Sequence, residues 1–561
     1  MKVSELEYRR VTAEEFSDAA NAAAGRVKAA GSAADVLAAR EGYLAALCDY
    51  TTASALSYMR YSINTADPFY LTEKNYYDEA GPIAQNASLS YAGALLDSPL
   101  RCELEKALSP VLFKSLEVQR KSMAPEIVPD MVEENKLVSE YSQLMAGMEF
   151  EFRGEKLPRP LLMKYAKSDD RDTRRECYAV LGGTLGAHAA ELDRIYDSLV
   201  HVRDRMAKKM GYRNFVELGY YRMGRLCYDQ AMVAQFRRNV KADVVPVVAR
   251  LRTENARRLG VTDFHLYDND VVIPGGDPAP CGKAGIFAAA REMYHAMGPE
   301  TGAFIDMMLR NDAFDVDSRK NKWGGGYCTE FPKYRQPFIL ANFNGTAGDV
   351  DVVTHEAGHA LNSYLISGNR FALELNCGGM ETAETHSMSM EFFAWPYMAR
   401  FFGENADKYR YMHALDAFSF IPYGTMVDDF QHRVYENPDL TPAGRDALWL
   451  ELEAQYRPYL TMEGMPYLDR GTRWQYQMHI YETPFYYIDY CLAQTAAFRF
   501  LLASRTDYSD AFSRYMAFSR QGGEQVWTDL LREAGFPSPF APGALKGLAA
   551  EVEKMLRDIA V

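Results

Sequence analysis

Two histidines four residues apart, with a glutamate beside the first, constrain this chain more than any other stretch of it. The string is His355-Glu356-Ala357-Gly358-His359, an HExxH pattern. Its imidazoles reach a common point only if the segment is helical, because positions i and i+4 share one helix face. The flanks agree with a helix: Val352, Val353, Ala360 and Leu361 supply apolar packing, and Asp351 stands four residues before His355. Immediately upstream, residues 334–344 read YRQPFILANFN, an apolar and aromatic run closed by Gly345, which predicts a strand leading directly into that helix.

The remainder of the chain reads as mainly helical. Apolar residues recur at spacings of three and four over 19–38, 41–56, 88–106 (broken near Pro99) and 134–149. The segment FRGEKLPRP at 152–160 mixes charge, glycine and proline and is the candidate junction between two parts. Further helices are predicted over 161–167, 172–208, 229–259 with a kink at Pro246, 283–297 and 300–311. Residues 268–282, DNDVVIPGGDPAPCG, suggest a strand-turn excursion. Beyond residue 365 helices dominate, with loops or helix starts at Pro422, Pro438, Pro466 and Pro484 and a stiff loop GFPSPFAP before a last helix. No internal repeat is present. The fold class is mainly α, with a small sheet near 323–345 beside the HExxH helix.

Composition excludes several kinds of function. Net charge is −14, and phosphate-backbone recognition needs a positive surface, so no nucleic-acid partner is expected. No uncharged apolar run of 18 residues could cross a bilayer, and the charged N-terminus lacks a secretory signal. The eight cysteines, Cys377 among them, include no CxxC pair, which suits free thiols in a reducing, cytoplasmic setting. The 37 tyrosines and 29 phenylalanines suit either packing or a groove that grips extended chains.

The chemistry centres on the two histidines. Zinc suits paired imidazoles and activates water without redox change, while Glu356 can hold that water and take its proton. A composition like this one produces the pattern by chance about 0.01 times per chain. A hydrolytic zinc site also needs a third protein ligand. Candidates lie in Glu381-Thr-Ala-Glu384-Thr-His386-Ser-Met-Ser-Met-Glu391. Glu384 and Glu391 are seven apart on one helix face, so one can ligate while the other orients a ligand. Periodicity alone does not separate Glu381, Glu384, His386 and Glu391. Farther on, WQYQMHIYETPFYYIDY places His479 near Tyr481, Tyr486, Tyr487 and Tyr490. Tyr486 and Tyr490 are i, i+4 partners, and neutral O–H and N–H donors are what a tetrahedral oxyanion requires. The strand at 338–344, if it is an exposed edge, could pair with an extended peptide. Gly324-Gly325-Gly326 lacks a phosphate-loop pattern and reads as a turn or a substrate loop.

Taken in order, HEAGH, then ETAETHSMSMEFF, then HIYETPFYYIDYCLAQ resemble the oligoendopeptidase F branch of the thimet-oligopeptidase-like zinc peptidases, over roughly residues 150–550. The resemblance implies a zincin-like helical ellipsoid with a deep substrate channel, divided into an N-terminal helical lid (1–155) and a catalytic domain (156–561). It implies one zinc per chain on His355, His359 and Glu384, the last because Glu384, Ser387 and Glu391 satisfy the family's E-x-x-S-x-x-x-E pattern. Glu356 becomes the general base, and His479, Tyr486 and Tyr490 the substrate and oxyanion contacts, with Tyr481 and Tyr487 as substitutes. The implied activity is endopeptidase cleavage of short, unstructured oligopeptides. Its rivals are a zinc carboxypeptidase or dipeptidase of similar architecture and a non-catalytic peptide-binding protein. Self-association into a homo-oligomer is left open.

Overall fold

Burial on both faces explains why residues 336–343 form a strand. Gln336 to Ala341 are all buried, and a run of this kind belongs inside a sheet covered on both sides. The computed structural model describes residues 1–369, 371–375 and 378–559. It contains a hairpin of β1 (Phe150–Phe152) and β2 (Glu155–Leu157), and a three-stranded sheet of β3 (Phe314–Asp317), β4 (Tyr327–Phe331) and β5 (Gln336–Phe343). β5 lies in the middle, parallel to β3 and antiparallel to β4, with Tyr327 opposite Leu340 and Phe331 opposite Gln336. β5 is therefore a central strand and not the exposed edge that pairing with a peptide would need, because both of its backbone edges are paired. The outer strands are β3 and β4. The sheet also begins earlier than residue 323, at Phe314.

A defined turn carries β5 into the HExxH helix. Asp349 Oδ1 and Oδ2 accept from the N–H groups of Asn344 and Gly345, each at 2.9 Å, while Gly345 takes φ 83°. The carboxylate also sits at the N-terminus of the helix, where negative charge is favoured. The motif helix then runs Gly348–Ile366.

The helical reading is borne out, with local regroupings. The stretches 19–38 and 41–56 belong to helices Ala13–Ala29 and Ala33–Ile63, the second capped by Ser32. The stretch 172–208 is two helices, Arg171–Ala187 and Ala189–Lys209, with His188 between them. The kink expected at Pro246 is a π-helical turn over Val240–Val244 that feeds Val245–Arg258. No strand forms over 268–282; Asp277 Oδ1 instead accepts from the N–H groups of Val272 and Ile273, which a neighbouring strand would otherwise satisfy. Pro422 is not a break. It is buried inside the long helix Ala406–Glu436, whose packing overrides the proline's preference. The segment 152–160 contains most of the β1–β2 hairpin, turned through Arg153 and Gly154 with φ 51° and 86°.

Two features tie distant parts together. The N-terminal helices bury their own apolar cluster, including Phe16, Tyr91, Leu95 and Leu112, and this cluster takes in Phe371 and Leu375 from the segment after the motif helix. Arg40 forms a buried ion pair with Glu374 of the same segment. The second feature is Arg203, fully buried, whose guanidinium donates to Glu134 Oε1 (2.6 Å), to Tyr435 Oη (2.8 Å) and to the carbonyl of Tyr481 (2.6 Å). The seven described cysteines are free, and Cys377 lies outside the described residues. No described helix is long and apolar enough to cross a membrane.

Burial works against the Glu134 carboxylate, yet the charges of Arg222 and Arg203 outweigh it and bring it from 4.5 to about 2. A carboxylate depressed by folding stabilises the fold fully above its unfolded value. That contribution is lost as pH falls from 4.5 toward about 2. Glu134→Gln leaves Arg203 buried without a counter-charge and is expected to cost about 3–5 kcal/mol in denaturant unfolding at neutral pH. Its stability should also vary less with pH between 4.5 and 2 than that of the parent chain. Equal unfolding midpoints at neutral pH would contradict this account.

Candidate active and metal site

The site begins with a close helix crossing. The acidic helix, Met380–Phe393, passes the motif helix so tightly that a Cβ on Gly358 would lie 2.7 Å from Ser387 Cα and 3.0 Å from the carbonyl oxygen of His386. Only glycine fits there. The crossing sets Glu384 against both histidines: its Oε2 lies 3.4 Å from His355 Nε2 and 3.5 Å from His359 Nε2. The ligand atoms of His355, His359 and Glu384 all fall within 4.8 Å of one another. The imidazoles are 22% and 21% exposed while Glu384 is 2% exposed, so the histidines can be approached from outside and the carboxylate cannot.

A second layer orients the first. His355 Nδ1 is 2.6 Å from Glu391 Oε1, and His413 Nε2 is 2.6 Å from Glu391 Oε2. Trp395 Nε1–H donates to His413 Nδ1 at 3.0 Å, which makes His413 Nε2 the proton-bearing nitrogen facing Glu391. With Glu391 accepting from His355 Nδ1–H, His355 Nε2 is aimed toward Glu384 and His359, where its lone pair would meet a metal once that nitrogen gives up its proton. Ser387 Oγ–H donates to Glu384 Oε2 at 3.0 Å, and Tyr486 O–H donates to Glu384 Oε1.

The charges follow from this packing. Burial opposes ionisation of Glu391, but hydrogen bonds from His355 and His413 win and bring it to about 2. Burial likewise opposes Glu384, and the charge of His359 with hydrogen bonds from both histidines holds it well below the ordinary carboxylate range. Burial pushes the Glu356 carboxyl up. Burial also lowers His479 to about 4, so its ring is neutral.

His479 stands on the short helix Met478–Glu482, and Tyr490 on the tyrosine helix Tyr487–Thr506, which Tyr486 precedes. Tyr490 Oη is 3.5 Å from His479 Nε2, and the rings of Tyr486 and Tyr490 are 4.7 Å apart. Tyr487 packs on His479 with ring centroids 4.9 Å apart. Tyr481 turns away, fully buried, stacked on Tyr141 with its O–H donating to Leu192. The position of Tyr486 depends on Phe485, which takes φ 69°. Gln431 Oε1 accepts from Phe485 N–H at 3.1 Å, and the buried Arg225 guanidinium donates to its carbonyl. Gly219 leaves room for the Phe485 ring, which a Cβ there would meet at 2.6 Å.

Glu381 and His386 do not join the histidine pair. Glu381 is buried near Cys227, and the His386 ring packs on Phe518 with both nitrogens unpartnered. His413, Arg225 and Gln431 were not read from the sequence; each meets the site across more than 20 residues of chain, and no local spacing marks them.

Comparison with known proteins identifies the family and the fold. The family described as Peptidase family M3 matches residues 300–549, and the Peptidase M3 N-terminal domain matches residues 3–123. Oligopeptidase PepF of Bacillus subtilis (strain 168) is 21% identical over 385 residues, which is 66% of this chain and 55% of that protein. The matched part thus spans little more than half the length of that relative. A solved structure provisionally described as an oligoendopeptidase F superposes with a TM-score of 0.97 at 42% identity, over 100% of this chain and 99% of that one. PZ peptidase A, solved with an inhibitor, gives 0.97 at 41% identity over 100% and 99%. A structure from Bacillus anthracis str. Ames, also provisionally described as an oligoendopeptidase F, gives 0.92 at 38% identity over 100% and 98%.

Glu391→Gln keeps the shape of the second layer but removes the carboxylate that holds His355 Nδ1–H. Competition against a chromogenic chelator should show divalent-metal affinity lowered about 10- to 100-fold. Affinity equal to that of the parent chain would remove Glu391 from this role.

Proposed function

The chain belongs to peptidase family M3, with the oligoendopeptidase F proteins, and from that premise we propose that it is a zinc-dependent endopeptidase acting on internal bonds of short, unstructured oligopeptides. The observation that carries this reading is the convergence of His355, His359 and Glu384 within 4.8 Å, with Glu356 directly after His355 on the same helix. The donor set fits zinc. Two imidazole nitrogens and one carboxylate are ligands zinc accepts, Glu391 aims one of the imidazoles, and three protein ligands leave a position open. Held there, one zinc per chain would supply Lewis acidity toward water and the scissile carbonyl.

The rest of the chemistry belongs to side chains. Glu356 takes the proton of the attacking water and returns it to the departing amine, a task favoured by a carboxyl that burial has pushed upward. His479 and Tyr490 form a neutral pair of donors beside Glu384, suited to a developing oxyanion, and Tyr486, whose single O–H is held by Glu384, joins them when that O–H turns to substrate. Burial and the Glu384 charge keep both phenols protonated. β4 offers the outer edge of the sheet next to the motif helix, where an extended substrate could add as a strand.

We read residues 1–155 as a helical lid and 156–561 as the catalytic domain. The separate apolar cluster of residues 16–116 supports a lid in the first part of 1–155, while Leu56, Met59, Tyr141 and Phe150 join that span to the main core. The cluster's hold on Phe371 and Leu375 links it to the segment after the motif helix. Cytoplasmic peptide turnover suits the free thiols.

Glu356→Gln should retain stoichiometric metal and lose hydrolysis of an internally quenched peptide by about a thousandfold or more. Turnover near the parent rate would refute its role as base. Chelation should abolish cleavage and zinc should restore it. Mass analysis of a peptide blocked at both ends should show internal cuts. Cutting confined to peptides with free ends would favour a carboxypeptidase or dipeptidase, and bound but uncut peptide a binding protein.

A further inference from the structure

His479 can serve an oxyanion only as a donor, so the nitrogen nearest the site must carry its proton. A neutral imidazole has one N–H, and the partner of the other nitrogen decides which one it is. Here the other nitrogen has a single side-chain partner, Gln477, whose Nε2 lies 3.2 Å from His479 Nδ1. The opposite end of that amide meets Tyr423, whose Oη is 2.7 Å from Gln477 Oε1. Tyr423 belongs to the long helix Ala406–Glu436, and Gln477 directly precedes the helix that carries His479.

Two hydrogen-bond patterns satisfy this chain. In one, Tyr423 O–H donates to Gln477 Oε1, Gln477 Nε2–H donates to His479 Nδ1, and the proton of His479 sits on Nε2. In the other, the amide is turned over, the Tyr423 oxygen becomes an acceptor and the proton moves to Nδ1. The surroundings of Tyr423 choose between them. Arg473 Cζ lies 4.4 Å from its ring centroid and Arg457 Cζ 4.9 Å. Arg457 is paired with Glu453, but Nε and Nη1 of Arg473 are buried without a hydrogen-bond partner. Cations over an aromatic face draw electron density from the ring. The phenol then becomes the stronger donor and the weaker acceptor, which favours the first pattern.

We propose that Gln477 is a positioning residue which, oriented by Tyr423, fixes His479 as the Nε2–H tautomer and so aims that N–H beside Tyr490 toward the site. This rests on reading His479 as an oxyanion donor, but the tautomer itself can be observed without any assay. The Nε2 side faces Tyr490 Oη at 3.5 Å, a long contact that leaves the N–H available to substrate. Arg473, Tyr423 and Gln477 thus serve the reaction through His479, without themselves touching substrate or metal.

The test uses the full-length, metal-loaded chain labelled with ¹⁵N-histidine, and reads tautomers from two-bond ¹H–¹⁵N correlations in the alkaline limit of the imidazole titration. The parent chain should show His479 protonated at Nε2. Gln477→Glu, which can only accept, should move the proton to Nδ1 and lower kcat about tenfold or more, with KM changed less than about twofold and metal content unchanged. Tyr423→Phe should give a mixed tautomer and a smaller loss of kcat. An Nδ1–H tautomer in the parent chain overturns the proposal, and so does Gln477→Glu with tautomer and kcat both unchanged. If the proton moves in Gln477→Glu and kcat does not, the positioning stands and the donor role of His479 falls. The two readings therefore fail separately.

Discussion

The site depends on one backbone contact, the crossing of two helices at Gly358. Any side chain at that position would collide with Ser387 Cα and force the helices apart. Because the crossing is this close, a carboxylate from the acidic helix reaches the same volume as two imidazoles from the motif helix. The seven-residue interval from Glu384 to Glu391 then places a second carboxylate behind His355, two turns along the same face. A single glycine thus determines which acid can ligate and which can orient.

Electrostatics reinforces the geometry. Glu356, Glu384 and Glu391 lie in one poorly hydrated volume with Asp351 close by, and burial pushes Asp351 to about 6. Such a concentration of carboxyl groups is costly unless positive charge accompanies it. Within the chain itself that charge comes from the imidazoles: despite burial, hydrogen bonds and charge from Glu384 and Glu391 raise His355 well above its usual value. A divalent cation would answer the same need and release the ring protons, which is how metal affinity becomes linked to pH. The donors across the site carry no charge, and Phe485, held by Gln431 and Arg225, fixes the backbone from which Tyr486 enters it.

Much of this was legible in the sequence where the information is local. The i, i+4 histidines declare a helix, and the apolar run before them declares a strand. Glu384 and Glu391 declare a shared face, although nothing in their spacing says which would meet the histidines, because that depends on where the helices cross. Whether β5 is an edge or a central strand is not written in its own residues for a related reason: strand order is a property of β3 and β4, and the parallel partner β3 pairs with it across about 25 residues, as Phe314 opposite Ile339. Pro422 reads as a break by propensity and lies inside a helix by packing. His413, Arg225 and Gln431 are invisible to periodicity, since their partners lie 22, 260 and 54 residues away.

The central claim is that His355, His359 and Glu384 hold one zinc ion in the active chain. X-ray absorption at the zinc edge of catalytically active protein tests it most directly. The account predicts one zinc per chain bound by nitrogen and oxygen at about 2.0–2.2 Å, with the outer-shell scattering of two imidazoles and no sulfur. A sulfur shell at about 2.3 Å, or full activity in protein without stoichiometric metal, would contradict it.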